Sequence, residues 1–295
     1  MIKRLMKKIE EYNPNSDLML IEDAYNFALE AHEGQKRISG EDYIIHPTAV
    51  AEILADLNMD NITIAAGILH DVIEDTNYSF DDIKDFFGEE IAMLVDGVTK
   101  LGRLEYRTKE EQQAENLRKM FIAMAKDIRV ILIKLADRLH NLRTLKYMSE
   151  NKQMEKARET VEIYAPIAHR LGIYKIKWEM EDLSLRFLEP KKYYDLVDKV
   201  AKKRKEREEY INSVIETLQE KNKEMDIKAK IEGRPKSFYS IYKKMYLQDK
   251  TFEQIFDITA VRIIVDNVKD CYGVLGIVHT LWKPISNRFK DYIAM

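Results

Sequence analysis

The chain has a single cysteine, Cys271, among its 295 residues. One thiol cannot form an internal disulfide, which excludes a disulfide-stapled scaffold and favours a reducing environment. No apolar run approaches the ~20 residues that a membrane-spanning helix needs. The charged N-terminal segment is not followed by the apolar stretch of a secretory signal. We therefore expect a cytoplasmic protein that does not act at a membrane.

Net charge is also scarce, because 48 basic residues nearly balance 51 acidic ones and leave −3. A chain so close to neutrality is not a general nucleic-acid-binding protein, so any basic site must be local. Hydrophobic residues make up 45% of the sequence, which is enough for real cores, and 34% charged residues suit long solvated helices. The length predicts two domains.

Apolar residues recur with helical spacing from about residue 17 to residue 225. Among the predicted helices are 61–75, 128–148 and 190–224. Few glycines interrupt the pattern, and those that do fall between periodic runs. This part of the chain is therefore predicted to be all-helical.

The pattern changes near residue 226. Residues 226–232 alternate apolar and charged side chains, and 258–265 form a β-branched run, so both are predicted strands, each followed by a helical run. Strand–helix–strand–helix is the beginning of an α/β domain. The prediction is a mainly α protein with an incomplete second domain. Its parts are an all-helical domain (1–189), a helical connector (190–225) and an incomplete α/β domain (226–295).

The most informative segment runs from residue 68 to residue 75, where a histidine and three carboxylates interrupt an apolar helical run. Ionised carboxylates are almost never buried unless they are paired or hold a metal. Residues three and four apart share a helix face, so His70 and Asp71 could straddle one ion while Glu74 and Asp75 orient a water one turn further on. His70 alone would more often be an ordinary core histidine.

Two further residues complete a candidate metal site. His46 lies at a loop-to-helix junction, and Asp137 lies in a second apolar run. Two imidazoles and two carboxylates suit Mn, Fe or Zn, and the spacing does not choose among them. Because a divalent ion acidifies bound water and polarises a phosphoryl oxygen, the set predicts a metal-dependent phosphohydrolase.

The same residues carry a family resemblance. His46, His70-Asp71 and Asp137 match the H…HD…D pattern of HD-domain phosphohydrolases. The surrounding segments resemble the RelA/SpoT family, the bacterial enzymes that make and destroy the alarmones ppGpp and pppGpp. Those segments are 40–47, 70–75, 96–101 and 133–141, and the similarity extends over essentially the whole chain.

The resemblance implies a Mn²⁺-dependent 3′-pyrophosphohydrolase of the stringent response, which converts ppGpp to GDP, or pppGpp to GTP, plus pyrophosphate. It assigns the metal to the four residues of the H…HD…D pattern. It assigns activation or positioning of the attacking water to Glu74 and Asp75.

A nucleotide pocket is predicted beside the metal. Asp137, Asn141 and Thr144 are spaced i, i+4, i+7 and would share a helix face, although solvation or capping would also explain the last two. By resemblance Asn141 reads guanine. The other residues that the resemblance places near the guanosine are Arg37, Ser39, Tyr43, Thr144 and Met148. Ile38 departs from the family, because many relatives have a basic residue there.

Residues 233–245 join a predicted strand to a basic helix and resemble the ATP-binding start of the family's synthetase domain. The resemblance implies contacts to ATP phosphates or base from Arg234, Lys236, Ser240 and Lys244, Mg²⁺ binding by Asp257, and stacking of Tyr292 on the acceptor guanine. Residues 288–291 resemble the basic motif of bifunctional members. We expect an N-terminal fragment of such an enzyme, with an intact hydrolase and a synthetase part too short to make alarmone from ATP and GDP or GTP. Contacts with the ribosome or nucleic acid are expected only through C-terminal regions of longer members.

Two alternatives remain open. One is an HD-family nucleotidase or phosphodiesterase that acts on another nucleotide, and only the surroundings of Arg37 and Asn141 argue against it. The other is a non-catalytic nucleotide-binding regulatory module, which the Glu74–Asp75 pair disfavours. His32 and His169 belong to no ligand pattern and are expected to be ordinary helix residues.

Overall fold

The computed structural model describes residues 1–102, 126–202, 204–255, 258–285 and 289–294. The chain divides into two compact units, Met1–Leu188 and Glu189–Met295. The described part of the first unit is helical, and the second contains a two-stranded sheet. The predicted mainly helical fold is confirmed. The predicted three-part division, with 190–225 as a connector, stays a prediction.

The first unit is a stack of helices around a core in which α4 is central. Its helices are α1 (Ile2–Tyr12), α2 (Leu18–Ala31), α3 (Ile45–Ala55), α4 (Asn61–Leu69), α5 (Val72–Asp75), α6 (Phe80–Phe87), α7 (Glu89–Gly102), α8 (Ile128–Arg143), α9 (Glu150–Glu159), α10 (Ala165–Arg170) and α11 (Tyr174–Leu188). Every residue of α4 from Thr63 to Leu69 is buried, and α4 contacts α2, α3, α7 and α8. A helix that is apolar on all sides belongs in the interior.

Helix α1 was absent from the sequence prediction, which began the helical region near residue 17. Leu5 and Ile9 are four residues apart and fully buried, and α1 contacts α2 and α3. Lys8 forms an ion pair of 2.6 Å with Asp56 just after α3. The helical spacing of those apolar residues was the signal that could have predicted α1.

The predicted helix 61–75 is wrong as a single helix. Helix α4 ends at Leu69, and α5 begins at Val72. His70 and Asp71 keep right-handed backbone angles between them, and the backbone oxygen of Asp71 then accepts the N–H groups of Glu74 and Asp75 at 3.1 and 2.8 Å. The joint therefore restarts the helical hydrogen bonds at Asp71, and the histidine–aspartate pair lies at a helix junction rather than on one continuous face.

Helix α8 also ends earlier than predicted, at Arg143 rather than near residue 148. Its N-terminus is capped by Asp127, whose carboxylate accepts the Arg129 N–H at 2.9 Å. At the other end, Thr144 is the C-cap residue, and a short 3₁₀ turn, Leu145–Tyr147, follows. Thr144 therefore lies beyond the helix on which the sequence analysis placed it.

The second unit has four described helices and two strands. In chain order these are α12 (Pro190–Lys202), α13 (Arg204–Glu224), β1 (Ala229–Pro235), α14 (Phe238–Tyr242), β2 (Thr259–Val265) and α15 (Val268–Leu281). The strands are antiparallel, with Ala229 opposite Val265 and Pro235 opposite Thr259. Helix α13 contacts both strands and α15. Within the described residues, no helix has the length and apolar character needed to cross a bilayer.

Candidate metal centre and nucleotide cavity

A cavity of about 370 Å³ opens in the first unit. It is lined by every residue predicted for the hydrolase site except His70, which lies behind it. The lining residues are Lys36, Arg37, Ile38, Ser39, Tyr43, His46, Asp71, Glu74, Asp75, Lys134, Asp137, Asn141, Thr144, Tyr147 and Met148. Segments far apart in the sequence thus meet around one space.

The four predicted metal ligands converge at this cavity. Ligand atoms of His46, His70 and Asp137 lie within 4.8 Å of one another. Nε2 of His46 is 3.3 Å from Oδ1 of Asp137 and 3.4 Å from Oδ2 of Asp71, and Nε2 of His70 is 3.1 Å from Oδ1 of Asp71. The two imidazoles are sealed from solvent, whereas the Asp71 side chain is 16% exposed. Such a mixed nitrogen and oxygen set suits a divalent transition metal.

His70 shows the features of a ligand held in one tautomer. Its Nδ1 donates to the backbone oxygen of Gly67 at 2.8 Å, which leaves the lone pair on Nε2. Nε2 is buried and makes no hydrogen bond among the described residues, because its approach to Asp71 lacks hydrogen-bond geometry. Gly67 itself allows α4 to approach α3, since a Cβ there would collide with Leu54. An orphaned buried nitrogen that faces two carboxylates fits a divalent cation.

His46 is held by its place at the start of α3. Its backbone N–H donates to the Tyr43 oxygen at 3.0 Å, and Pro47 follows in the first turn, where the missing N–H costs nothing. Burial alone would lower the pKa of His46, but the facing carboxylates of Asp137 and Asp71 outweigh it and raise the pKa.

The other ring nitrogen of His46 contacts a residue that the sequence analysis did not include in the site. Nδ1 of His46 lies 2.7 Å from Nδ1 of His140, and both rings are buried. Burial and the charge of His46 lower the pKa of His140 to about 3. His140 follows Asp137 by three residues on α8, and that spacing was the signal that could have drawn attention to it.

Lys134 is a second residue that sequence reasoning missed. Its Nζ lies 2.9 Å from Oδ2 of Asp137. Burial alone would raise the pKa of Asp137, but Lys134 and the two histidines hold that pKa well below its usual range. Burial alone would lower the pKa of Lys134, and Asp137 raises it instead. The ion pair leaves Oδ1 of Asp137 on the side of the histidines.

Tyr43 connects the candidate metal centre with the predicted water-positioning pair. Its hydroxyl lies 2.8 Å from Oδ2 of Asp71 and 2.5 Å from Oδ2 of Asp75, so one proton serves two carboxylates. Its ring stacks on His32 at 4.4 Å. Burial and these carboxylates raise the pKa of Tyr43 above its ordinary value, so the phenol keeps its proton. Gln35 fixes the backbone at Asp75, because its side-chain amide donates to the Asp75 backbone oxygen at 2.9 Å.

His32 and His169, which were predicted to be ordinary helix residues, differ in burial. His32 is buried and bonds Gln35 through Nδ1 at 2.9 Å, so it has the ordinary hydrogen bond that was expected, but it also supports Tyr43. His169 is exposed on α10.

The predicted guanosine-contacting residues lie beside the ligands. Nη2 of Arg37 donates to Oδ1 of Asn141 at 2.7 Å, and Nδ2 of Asn141 donates to Oδ1 of Asp137 at 2.5 Å. The Thr144 hydroxyl donates to the His140 backbone oxygen at 3.2 Å, which is a capping contact. Ser39 donates to Glu41 at 3.1 Å. Their roles toward a nucleotide stay predictions.

The residues predicted for a synthetase site lie in the second unit. Arg234 is on β1 opposite Ala260, and the Lys236 N–H donates to the Ile258 oxygen at 2.9 Å. The Ser240 hydroxyl bonds the Ser237 hydroxyl at 2.8 Å within one helical turn. Lys244 lies in the π turn Lys243–Leu247, and Tyr292 is 77% exposed. Asp257 and Arg288 lie outside the described residues, so this set stays a prediction.

Comparison with known proteins identifies the fold around the cavity. Residues 24–174, about half of the chain, match the family described as HD domain. The chain belongs to the HD-domain family. Residues 233–295 match the region found in RelA / SpoT proteins, and the resemblance to RelA/SpoT proteins is confirmed.

Similar proteins include GTP pyrophosphokinase of Streptomyces coelicolor, 52% identical over 280 residues, which cover 95% of this chain and 33% of the relative. A probable guanosine-3′,5′-bis(diphosphate) 3′-pyrophosphohydrolase of Synechocystis is 52% identical over 277 residues, covering 94% of this chain and 36% of the relative. The bifunctional (p)ppGpp synthase/hydrolase SpoT of Escherichia coli K12 is 48% identical over 295 residues, which cover 100% of this chain and 42% of the relative. The chain thus spans between 33% and 42% of the length of these relatives.

Proposed function

We propose that the first unit is a divalent-metal-dependent pyrophosphohydrolase that removes the 3′-pyrophosphate of ppGpp or pppGpp and releases GDP or GTP. The observation that carries the proposal is one cavity lined by three of the four proposed metal ligands, with His70 beside them, by two further carboxylates and by the Arg37–Asn141 pair. The names of the similar proteins, which include a (p)ppGpp synthase/hydrolase and a 3′-pyrophosphohydrolase, support the same substrate.

The metal would be held by His46, His70, Asp71 and Asp137, and we propose Mn²⁺. The mixed imidazole and carboxylate donors favour a borderline cation over the all-oxygen sites of Ca²⁺ or Mg²⁺. When bound, the cation supplies a Lewis acid that polarises the phosphoryl oxygen and acidifies the attacking water. The charges support cation binding as well, because both aspartates have pKa values far below their usual range and are ionised at neutral pH.

Glu74 and Asp75 would accept the proton of the attacking water. The water oxygen forms a bond to the phosphorus that carries the ribose 3′ oxygen, the bond between that phosphorus and the 3′ oxygen breaks, and the 3′ oxygen takes up a proton as pyrophosphate is released. Asp75 suits the task because it is fixed at both ends, by Tyr43 at its carboxylate and by Gln35 at its backbone oxygen. A fixed carboxylate keeps the acceptor in reach of the water without reorganisation.

Arg37 and Asn141 would recognise the guanosine. Asn141 offers both an acceptor and a donor, and in the structure these are used by Arg37 and Asp137. A guanine edge presents complementary donors and acceptors, so the base would exchange for the Arg37 contact. This part of the proposal separates ppGpp hydrolysis from action on another nucleotide.

The test is incubation of the purified chain with Mn²⁺ and ppGpp. We expect equal amounts of GDP and pyrophosphate, loss of both after chelation, and recovery on adding Mn²⁺ back. Asp71→Asn should abolish the reaction, whereas Asp81→Asn on the exposed face of α6 should not. Hydrolysis of other nucleotides but not of ppGpp would show that the substrate is another nucleotide. Mn²⁺ and ppGpp binding without turnover would indicate a non-catalytic binding module.

A further inference from the structure

His140 contacts the proposed metal ligand His46 at the ring nitrogen that faces away from the carboxylates. Two neutral imidazoles 2.7 Å apart share one hydrogen, so one ring donates and the other accepts. For Nε2 of His46 to bind a cation beside Asp137, its hydrogen must lie on Nδ1, and Nδ1 faces His140. His140 must then accept this hydrogen.

The two histidine ligands differ in what fixes their tautomers. Nδ1 of His70 donates to the backbone oxygen of Gly67, which can only accept, so that tautomer is fixed by the fold. An imidazole can either donate or accept, so at His46 the tautomer depends on the partner ring. Nε2 of His46 faces the carboxylates of Asp71 and Asp137, so Nδ1 is the ring nitrogen left for the contact with His140.

We infer that His140 is a positioning residue that selects the metal-binding tautomer of His46 by accepting its Nδ1 hydrogen. The inference rests on the metal centre of the proposed function and adds a partner that the H…HD…D pattern does not include. Because Asp137 and His140 lie three residues apart on α8, one helix supplies both a ligand and the partner of another ligand. Such partners orient the ring and raise its basicity, and their removal typically weakens metal binding ten- to a hundredfold.

The first experiment measures Mn²⁺ affinity without any nucleotide, by titration with detection of the free ion. His140→Leu should bind Mn²⁺ roughly ten- to a hundredfold more weakly than the wild type. His140→Asn places an amide oxygen at the position of Nδ1 and should restore most of the affinity. His169→Leu, which removes an exposed histidine of the same unit, should bind like the wild type. Equal affinity in His140→Leu and the wild type would overturn the inference.

The second experiment reads the tautomer directly in the wild type. The chain has six histidines, so selective ¹⁵N labelling gives a small set of ring signals, and Zn²⁺ serves as a diamagnetic probe. In the Zn²⁺-loaded protein His46 should carry its hydrogen on Nδ1 and none on Nε2. A His46 ring protonated at Nε2 would make His140 the donor and refute the inference, even if His140→Leu failed to fold.

These outcomes are separate from the fate of the proposed function. If the wild type binds Mn²⁺ with the expected His46 tautomer but does not hydrolyse ppGpp, the proposed function is refuted and the role of His140 is supported. If ppGpp is hydrolysed normally and His140→Leu binds Mn²⁺ as tightly as the wild type, the proposed function is supported and the role of His140 is refuted.

Discussion

The guanidinium of Arg37 donates a 2.7 Å hydrogen bond to Asn141, and Asn141 in turn donates to Asp137. A residue proposed to read the base is thereby bonded to a residue proposed to hold the metal. Base recognition and metal binding should therefore affect each other through the position of one amide.

Replacing Asn141 by leucine should raise the KM for ppGpp by about ten- to a hundredfold, because a buried guanine edge left without its hydrogen-bond partner costs ~1–3 kcal/mol. Steady-state kinetics with saturating Mn²⁺ would measure it. Asn151→Leu is the matched control, since Asn151 is exposed on α9. An unchanged KM in Asn141→Leu would show that the amide does not contact the nucleotide.

Tyr43→Phe should lower kcat by roughly tenfold, because Asp75 and Asp71 would lose a shared hydrogen bond of charged type. The melting temperature should change little, since the ring can still stack on His32. Tyr12→Phe is a suitable comparison: it removes a hydroxyl bonded to the Met59 oxygen at 2.7 Å, and should affect stability without affecting kcat. A wild-type kcat in Tyr43→Phe would count against the positioning of Asp75.

The metal-free protein should lose stability as the pH falls from about 5 to 2. The pKa values of Asp71 and Asp137 are lowered in the folded state from an unfolded value of ~3.9, so the unfolded chain binds more protons in this range. The stabilisation is thus complete above the unfolded pKa and is lost progressively as the pH falls toward the folded pKa values. Urea unfolding at several pH values would measure the slope, and Asp71→Asn should make it shallower. A slope equal to that of the wild type would contradict the assignment.

Gly97→Ala should destabilise the first unit by about 1–3 kcal/mol, because the added Cβ would lie 2.9 Å from Cγ2 of Val130 and overpack the contact between α7 and α8. Gly97→Ala combined with Val130→Ala should cost less than the sum of the two single changes. Gly276→Ala meets nothing within 4 Å and serves as the control. Additive costs in the double variant would show that the two side chains do not meet.

The part of the site that sequence could predict was the part with unusual chemistry. Asp71 and Asp137 interrupt apolar runs, and carboxylates in such a setting require a partner or a metal. The structure places both at one cavity together with His46 and Asn141. Helical periodicity likewise predicted the helical character of the first unit, and alternating and β-branched residues predicted the two strands of the second.

The remaining features of the site depend on distances between side chains that periodicity does not encode. Lys134 pairs with Asp137 on the same helix, and His140 looks like an ordinary member of α8 until the fold brings His46 against it. The interruption at His70 and Asp71 was not predicted because the backbone angles stay near the helical region and no glycine or proline marks the joint. Such a break is defined by where the hydrogen bonds restart, which follows from packing.

The convergence of ligands from α3, the α4–α5 joint and α8 means that a bound ion would act as a cross-link between segments distant in the chain. An unfolded chain does not hold these groups together, so ligation would favour the folded form by about 2.7 kcal/mol at a hundred times the dissociation constant. The resistance of this unit to heat and proteolysis would then report the free concentration of divalent cations around it.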